Sequence, residues 1–299
     1  MVTSFAGIAA TVAIIFSSCS SPASSIIQAP TSSDTTYPSV ETKKANTDYK
    51  PAFAGQTRIA GVKTTTAYQV KILSGGLHSP WGITSLPDGR FLITEKDGDM
   101  RIATQDGTLS EAITGLPEVN SSGQGGLLGL TIDPDFANNR MIYFVFSEKQ
   151  PDGNLTAVGK GKLADDEKTI QNVKVIYRAT PAHNSTLHYG GRILFDKTGN
   201  IIFSTGERSD LATRPQAQYL NSSLGKVIRI TTDGKAAPGN PFINQDDTRP
   251  EIYSYGHRNV QGLALNPATD DLWESEFGPR GGDEINLIRP GKNYGWPII

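Results

Sequence analysis

Four times after Ala67 the chain runs through an apolar segment, a short polar reversal and a second apolar segment. The first copy is Trp81–Leu86, Pro87-Asp88-Gly89, then Phe91–Glu95. The second is Leu127–Ile132, a reversal over Pro134–Asn139, then Met141–Phe146. The third is Gly191–Phe195, Asp196–Asn200, then Ile201–Thr205, and the fourth is Val260–Leu265, Asn266–Asp271, then Leu272–Glu276. Gly, Asn, Asp and Pro supply the dihedrals that a tight reversal needs, so each copy predicts a β-hairpin. Further strands are predicted between copies, at Lys174–Arg178 and Lys226–Thr231. No stretch sustains a helical period. Copies spaced irregularly, roughly fifty to seventy residues apart, predict an all-β fold of propeller blades with long insertions. A single β-sandwich would not repeat one hairpin so regularly. In a propeller, ligands meet loops of several blades over the central channel, so useful residues belong at strand ends.

Composition narrows the partners. The chain has 299 residues, a net charge of −2, 37% hydrophobic and 19% charged residues. That is ordinary for a folded domain with a sizeable core, and no basic excess points to nucleic acid. Glycine (31) and proline (18) are plentiful, as a turn-rich β protein requires. Cys19 is the one cysteine, which excludes an internal disulfide.

Residues 1–19 read as an export signal. Phe5–Phe16 is apolar but too short to span a bilayer comfortably, and Ser17-Ser18-Cys19-Ser20 follows it. The small residues before a lone cysteine resemble a bacterial lipoprotein processing site. That resemblance makes Cys19 the expected lipidation site and membrane anchor, and the protein a periplasmic or cell-envelope one. A plain cleaved signal is the alternative, and it too exports the chain. Residues 20–66 are rich in Ser, Thr, Pro, Ala and Lys and predict a flexible tether, leaving 67–299 as the propeller domain.

Four loops carry candidate chemistry. Gly123-Gln124-Gly125-Gly126 opens the second copy, where glycine admits a ligand close to the backbone and Gln124 offers a donor and an acceptor. His188 precedes the third copy, where a neutral imidazole can take a proton from an alcohol. Glu207 ends that hairpin, and antiparallel pairing would bring it to His188 to orient the ring. Arg258-Asn259 opens the fourth copy and suits a planar ligand bearing oxygens and carboxylates. The fourth loop follows Trp273–Glu276, where Gly278-Pro279 bends the backbone beside Asp283 and Glu284. Outward carbonyls next to carboxylates suit a hard cation such as calcium.

Taken in order, GQGGLLGL, HYGGRILF with STGE, GHRNVQGLALNP, EFGPRGGDEINLI and GKNYGWP resemble the soluble quinoprotein aldose dehydrogenases of the glucose/sorbosone dehydrogenase family. The resemblance runs from Trp81 to Trp296. It implies a six-bladed β-propeller holding pyrroloquinoline quinone (PQQ) with calcium, and oxidation of the C1 hydroxyl of an aldose to the lactone. It implies that His188 is the base, Glu207 its supporting carboxylate, and Gln124, Arg258 and Asn259 cofactor contacts. It makes Arg258 a catalytic residue with His188 and Glu207, makes His188 a cofactor contact as well, and implies that the Gly278 and Pro279 carbonyls would ligate the calcium. The electron acceptor is left unnamed. Leu187 stands where some glucose dehydrogenases carry Asp, which points to the broader aldose branch. Family members continue past the position of Ile299, so the last blade is expected to be incomplete here. A calcium-dependent propeller lactonase or esterase, and a non-catalytic binding propeller, are the competing readings.

Overall fold

In the computed structural model, residues 66–279 and 282–298 are described, with scattered positions between 37 and 61. Contacts divide the chain into two units, Met1–Pro38 with Ala60–Ile72, and Ser39–Ile59 with Leu73–Ile299. In the first, an antiparallel bridge joins Tyr37 and Gly61. Cys19 and the rest of the predicted export signal lie outside the described residues. Among the described residues, no helix is long and apolar enough to cross a membrane.

The second unit is built of four antiparallel sheets, each a meander in chain order. The first is β1 (Pro80–Ser85), β2 (Phe91–Glu95) and β3 (Met100–Ala103). The second is β4 (Leu127–Ile132), β5 (Met141–Gln150), β6 (Gly153–Leu163) and β7 (Ile170–Arg178). The third is β8 (Ile193–Phe195), β9 (Ile201–Ser204), β10 (Lys226–Ile230) and β11 (Ile252–Tyr255). The fourth is β12 (Val260–Leu265), β13 (Leu272–Glu276) and β14 (Glu284–Ile288). First strands neighbour one another, β1 against β4, β4 against β8 and β8 against β12. The sheets are therefore consecutive blades of a β-propeller with their first strands innermost.

All four predicted hairpins are present, with two differences. In the third, the strand starts at Ile193 rather than Gly191, because Gly190 and Gly191 take φ of 66° and 110° and cannot enter the ladder. In the second, the reversal holds one helical turn, Phe136–Asn139, closed by Arg140 in the left-handed region.

Stacking of blades explains the long apolar runs. Side chains alternate across a strand, and both faces of β5 are covered. Ile142, Phe144 and Phe146 pack with Leu92, Met100 and Leu127 towards the first sheet. Tyr143 and Val145 pack with Ile193, Phe203 and Ile228 towards the third. On β9, Ile201 and Phe203 face the second sheet, while Ile202 packs with Leu272 and Ile288 of the fourth. Each such side chain contributes about 1.5–3 kcal/mol by burial.

A hydroxyl also links neighbouring blades. Thr94 Oγ1 accepts the Gly82 amide (2.8 Å) and donates to the Leu128 carbonyl of the next blade (2.7 Å). Ser204 Oγ repeats this, accepting from Arg192 N (3.0 Å) and donating to Val260 O (2.9 Å). These hydroxyls are fully buried, so satisfying both roles is what makes them tolerable there.

Candidate active site

Antiparallel hairpins place the residues before each first strand and those after each second strand at the same end of the blades. His188, Glu207, Arg258, Asn259, Gln124 and Gly278 all sit at that end. His188 is 6% exposed and Glu207 is fully buried. His188 Nδ1 lies 2.6 Å from Glu207 Oε1. A carboxylate there accepts the Nδ1 proton, which leaves the Nε2 lone pair free to take another. Nε2 has no hydrogen-bond partner among the described residues. The His188 backbone is held at φ 48°, a conformation that costs energy outside glycine and is kept by its surroundings.

Two contacts hold it. The His188 amide donates to Gln124 Oε1 at 2.8 Å. On the other side Gly206 approaches so closely that an added Cβ would lie 2.1 Å from the His188 carbonyl oxygen. Gln124 thus spends its acceptor on positioning His188, and its amide NH2 is what remains for a ligand.

Arg258 and Asn259 join this pair across the blade boundary. The Glu207 amide donates to Arg258 O (3.0 Å), and the Gly190 amide donates to Asn259 Oδ1 (3.0 Å). Arg258 Nη1 donates to the carbonyls of Phe277 (2.8 Å) and Gly278 (3.4 Å). The Gly278 carbonyl, an expected calcium ligand, is therefore turned towards a guanidinium in this arrangement. Gly278 N donates to Asp283 Oδ1 (3.0 Å), which closes the loop. Glu284 opens β14 opposite Glu276, and its Oε2 accepts from Asn286 Nδ2 at 2.9 Å. Burial lowers the Arg258 pKa from its usual value, countered by Glu207 and reinforced by Arg214.

Several buried polar atoms at this end have no partner: Glu207 Oε2, Arg258 Nε and Asn259 Nδ2. Unpaired buried groups cost about 1–3 kcal/mol each, and their clustering marks a place built for a polar ligand.

One part of the site was not among the sequence-based candidates. Glu276 Oε2 accepts the amides of both Arg258 (2.5 Å) and Asn259 (3.2 Å). Its Oε1 lies 3.1 Å from His257 Nδ1, and His257 Nε2 contacts Ser254 Oγ at 2.8 Å. The His257 ring stacks on Tyr294 at 4.7 Å. His257, Glu274 and Glu276 are all buried and close enough to share a small cation. Their atoms are already engaged with one another, with Ser254, with the Arg258 and Asn259 amides and with Asn286, apart from Glu274 Oε2. Burial and the charge of Glu276 push Glu274 up to about 9, so it is a neutral acid at pH 7. Burial opposes ionisation of Glu276, but hydrogen bonds from His257 and the two amides outweigh it and lower its pKa. The signal was present in the alternation of β13, where Leu272, Glu274 and Glu276 share the buried face.

Fold and site together define a β-propeller whose axial end presents a histidine–carboxylate pair beside an Arg-Asn pair. A family profile described as glucose/sorbosone dehydrogenase matches residues 77–299, and the chain belongs to that family. It is 43% identical over 231 residues to aldose sugar dehydrogenase YliI of Escherichia coli K12, covering 77% of this chain and 62% of the relative. The crystal structure of the soluble aldose sugar dehydrogenase from E. coli, in its apo form, superposes with a TM-score of 0.72 at 42% identity. That match covers 76% of this chain and 65% of the solved one. The PQQ-bound aldose sugar dehydrogenase of Streptomyces coelicolor superposes at 0.66 with 35% identity, covering 76% and 65%. The chain thus spans a little under two thirds of the length of these relatives.

Proposed function

We propose that the protein oxidises the C1 hydroxyl of an aldose to the lactone, using PQQ and calcium at the axial end of the propeller. The observation that carries this is the 2.6 Å contact of His188 Nδ1 with buried Glu207, beside an Arg-Asn pair whose side chains keep unpaired donors. An oxygen-rich planar quinone fits such a surface, because its carbonyls and carboxylates are acceptors for those donors. Arg258, Asn259 and the Gln124 amide would hold it, and the Gly278 and Pro279 carbonyls would hold the cation. When bound, the quinone supplies the two-electron acceptor for hydride, and calcium supplies Lewis-acid polarisation.

The chain's own residues do the rest. His188 Nε2 takes the C1 hydroxyl proton while Nδ1 stays bonded to Glu207. The carboxylate fixes the tautomer and stabilises the imidazolium that forms. Gln124 and Gly206 fix where Nε2 points, which converts the encounter into an oriented one. His188 later releases the proton to solvent.

Homologues named as sugar dehydrogenases support this reading, and so does the agreement of four separate loops with one chemistry. Export, a lipid on Cys19 and an external electron acceptor complete it, since the reduced quinone must be reoxidised. The test is dye-linked oxidation of a panel of aldoses by apoprotein with PQQ and calcium added singly and together. Dye reduction that needs both additions and vanishes in His188→Ala is the expected result. A folded protein inactive on every aldose would sink the proposal.

A further inference from the structure

A second guanidinium stands beside Arg258. Arg214 opens the 3-10 turn Arg214–Ala217 in the connection between β9 and β10. Buried Lys226 fixes that turn, donating from Nζ to the carbonyls of Gln216 (2.8 Å), Ala217 (3.0 Å) and Leu224 (2.6 Å). The Gly256 amide donates to Ala217 O at 2.8 Å, which ties the turn to the segment carrying Arg258. Gln218 Nε2 donates to Trp296 O at 2.6 Å, which ties it to the end of the described chain.

The outcome is an aromatic ring between two cations. The Arg258 guanidinium carbon lies 5.1 Å from the centroid of the Trp296 ring, and that of Arg214 lies 5.7 Å away. Arg214 Nε, Arg258 Nε and Trp296 Nε1 are each buried without an acceptor, as is Asn259 Nδ2 beside them. Among the described residues no carboxylate pairs with either guanidinium. Arg258 Nη1 is answered by the carbonyls of Phe277 and Gly278, but two like charges held near one ring, with four buried N–H groups left unpaired beside them, are costly until an anion with several oxygens arrives. Neutral hydroxyls would answer the donors and leave both guanidiniums without a direct ion pair, whereas a carboxylate answers the donors and the charge together.

We propose that Arg214, Arg258 and Trp296 form a carboxylate-binding subsite, in which Arg214 takes a carboxylate of the bound ligand. Two ligands bring that chemistry: the quinone, through its own carboxylates, and an acidic sugar. The quinone is the favoured source, because Arg258 and Asn259 reach the same subsite and the His188 pair. This inference rests on the function proposed above.

Arg214 is only partly buried, so Arg214→Gln and Arg214→Lys should fold normally, which far-UV dichroism and melting of the apoprotein would verify. Apoprotein is titrated with PQQ, following quenching of tryptophan fluorescence, and then with the trimethyl ester of PQQ. KM is measured for D-glucose and D-glucuronate. We expect Arg214→Gln to weaken PQQ about tenfold or more, Arg214→Lys to restore part of it, and the ester to bind both forms alike. Unchanged PQQ affinity with a KM raised for glucuronate alone assigns the subsite to the sugar carboxylate. Equal PQQ affinity and an equal KM ratio in wild type and Arg214→Gln overturn the subsite and leave the dehydrogenase reading standing. Wild-type protein that fails to bind PQQ overturns that reading and the subsite with it.

Discussion

His188 and Arg258 occupy the same position in successive blades. His188 lies five residues ahead of Ile193, which pairs with Phe203, and Arg258 lies five ahead of Leu263, which pairs with Glu274. One hairpin register, repeated, delivers the proposed base from one blade and the proposed ligand-binding cation from the next, although only His188 takes a positive φ. The two are joined by the Glu207 amide on the Arg258 carbonyl, so movement of either hairpin is felt by both.

The His188–Glu207 pair should behave as a unit. His188→Ala is expected to lower kcat by about 10²–10⁴. Glu207→Gln should lower it too, and the double variant should lose little more than His188→Ala alone. Steady-state kinetics on the three variants checks this. Additive losses would show that the two side chains act independently.

Gly206→Ala tests the positioning of His188. The new Cβ would meet the His188 carbonyl oxygen at 2.1 Å and its carbonyl carbon at 2.4 Å, with Asn259 Oδ1 at 3.0 Å, so the His188 backbone itself must shift. Displacement of the ring by about 1 Å should cost on the order of a hundredfold in kcat. Melting should shift down by a few degrees. Normal turnover in a folded Gly206→Ala protein would refute the role assigned to this contact.

Glu276→Ala removes the acceptor of the Arg258 and Asn259 amides and of His257 Nδ1. Stranding these donors in a buried place should destabilise the protein by ~3–5 kcal/mol. Denaturant unfolding followed by fluorescence measures it. A loss below ~1 kcal/mol would mean that water or a neighbour replaces the carboxylate.

Glu274 gives the protein a pH dependence of known sign. Its carboxyl titrates near 4.5 when exposed and is raised to about 9 in the fold. Between these values the unfolded chain has lost a proton that the folded chain keeps. The stabilising contribution is complete below about 4.5 and is lost as pH rises through about 9. Glu274→Gln mimics the neutral acid and removes this slope. Its stability relative to wild type should improve from pH 6 to pH 9, by up to ~1 kcal/mol per unit. A constant difference across that range would contradict the assignment.

The hairpins were legible because turn chemistry and apolar runs are local. Pro87-Asp88-Gly89 and Asn266–Asp271 announce reversals wherever they stand, and the strands beside them follow. The pairing of His188 with Glu207 was also within reach, since an antiparallel hairpin brings its two ends together. The amide clamp of Glu276 was harder to see. Its parity with Leu272 on β13 says that it faces inward, but not that two amides of the preceding turn meet it there.

What the sequence determined by itself is the all-β character, the repeated hairpin and the residue types gathered at one end of it. Those depend on dihedral preferences and on the two-residue period of a strand. Only the tertiary structure decided which loops meet. The links from Ser204 to Val260, from Asn259 to the Gly190 amide and from Arg214 to Trp296 join residues 56, 69 and 82 positions apart. Those contacts exist because blades stack face to face around an axis. That stacking is driven by non-directional apolar burial and carries no local signature in the chain.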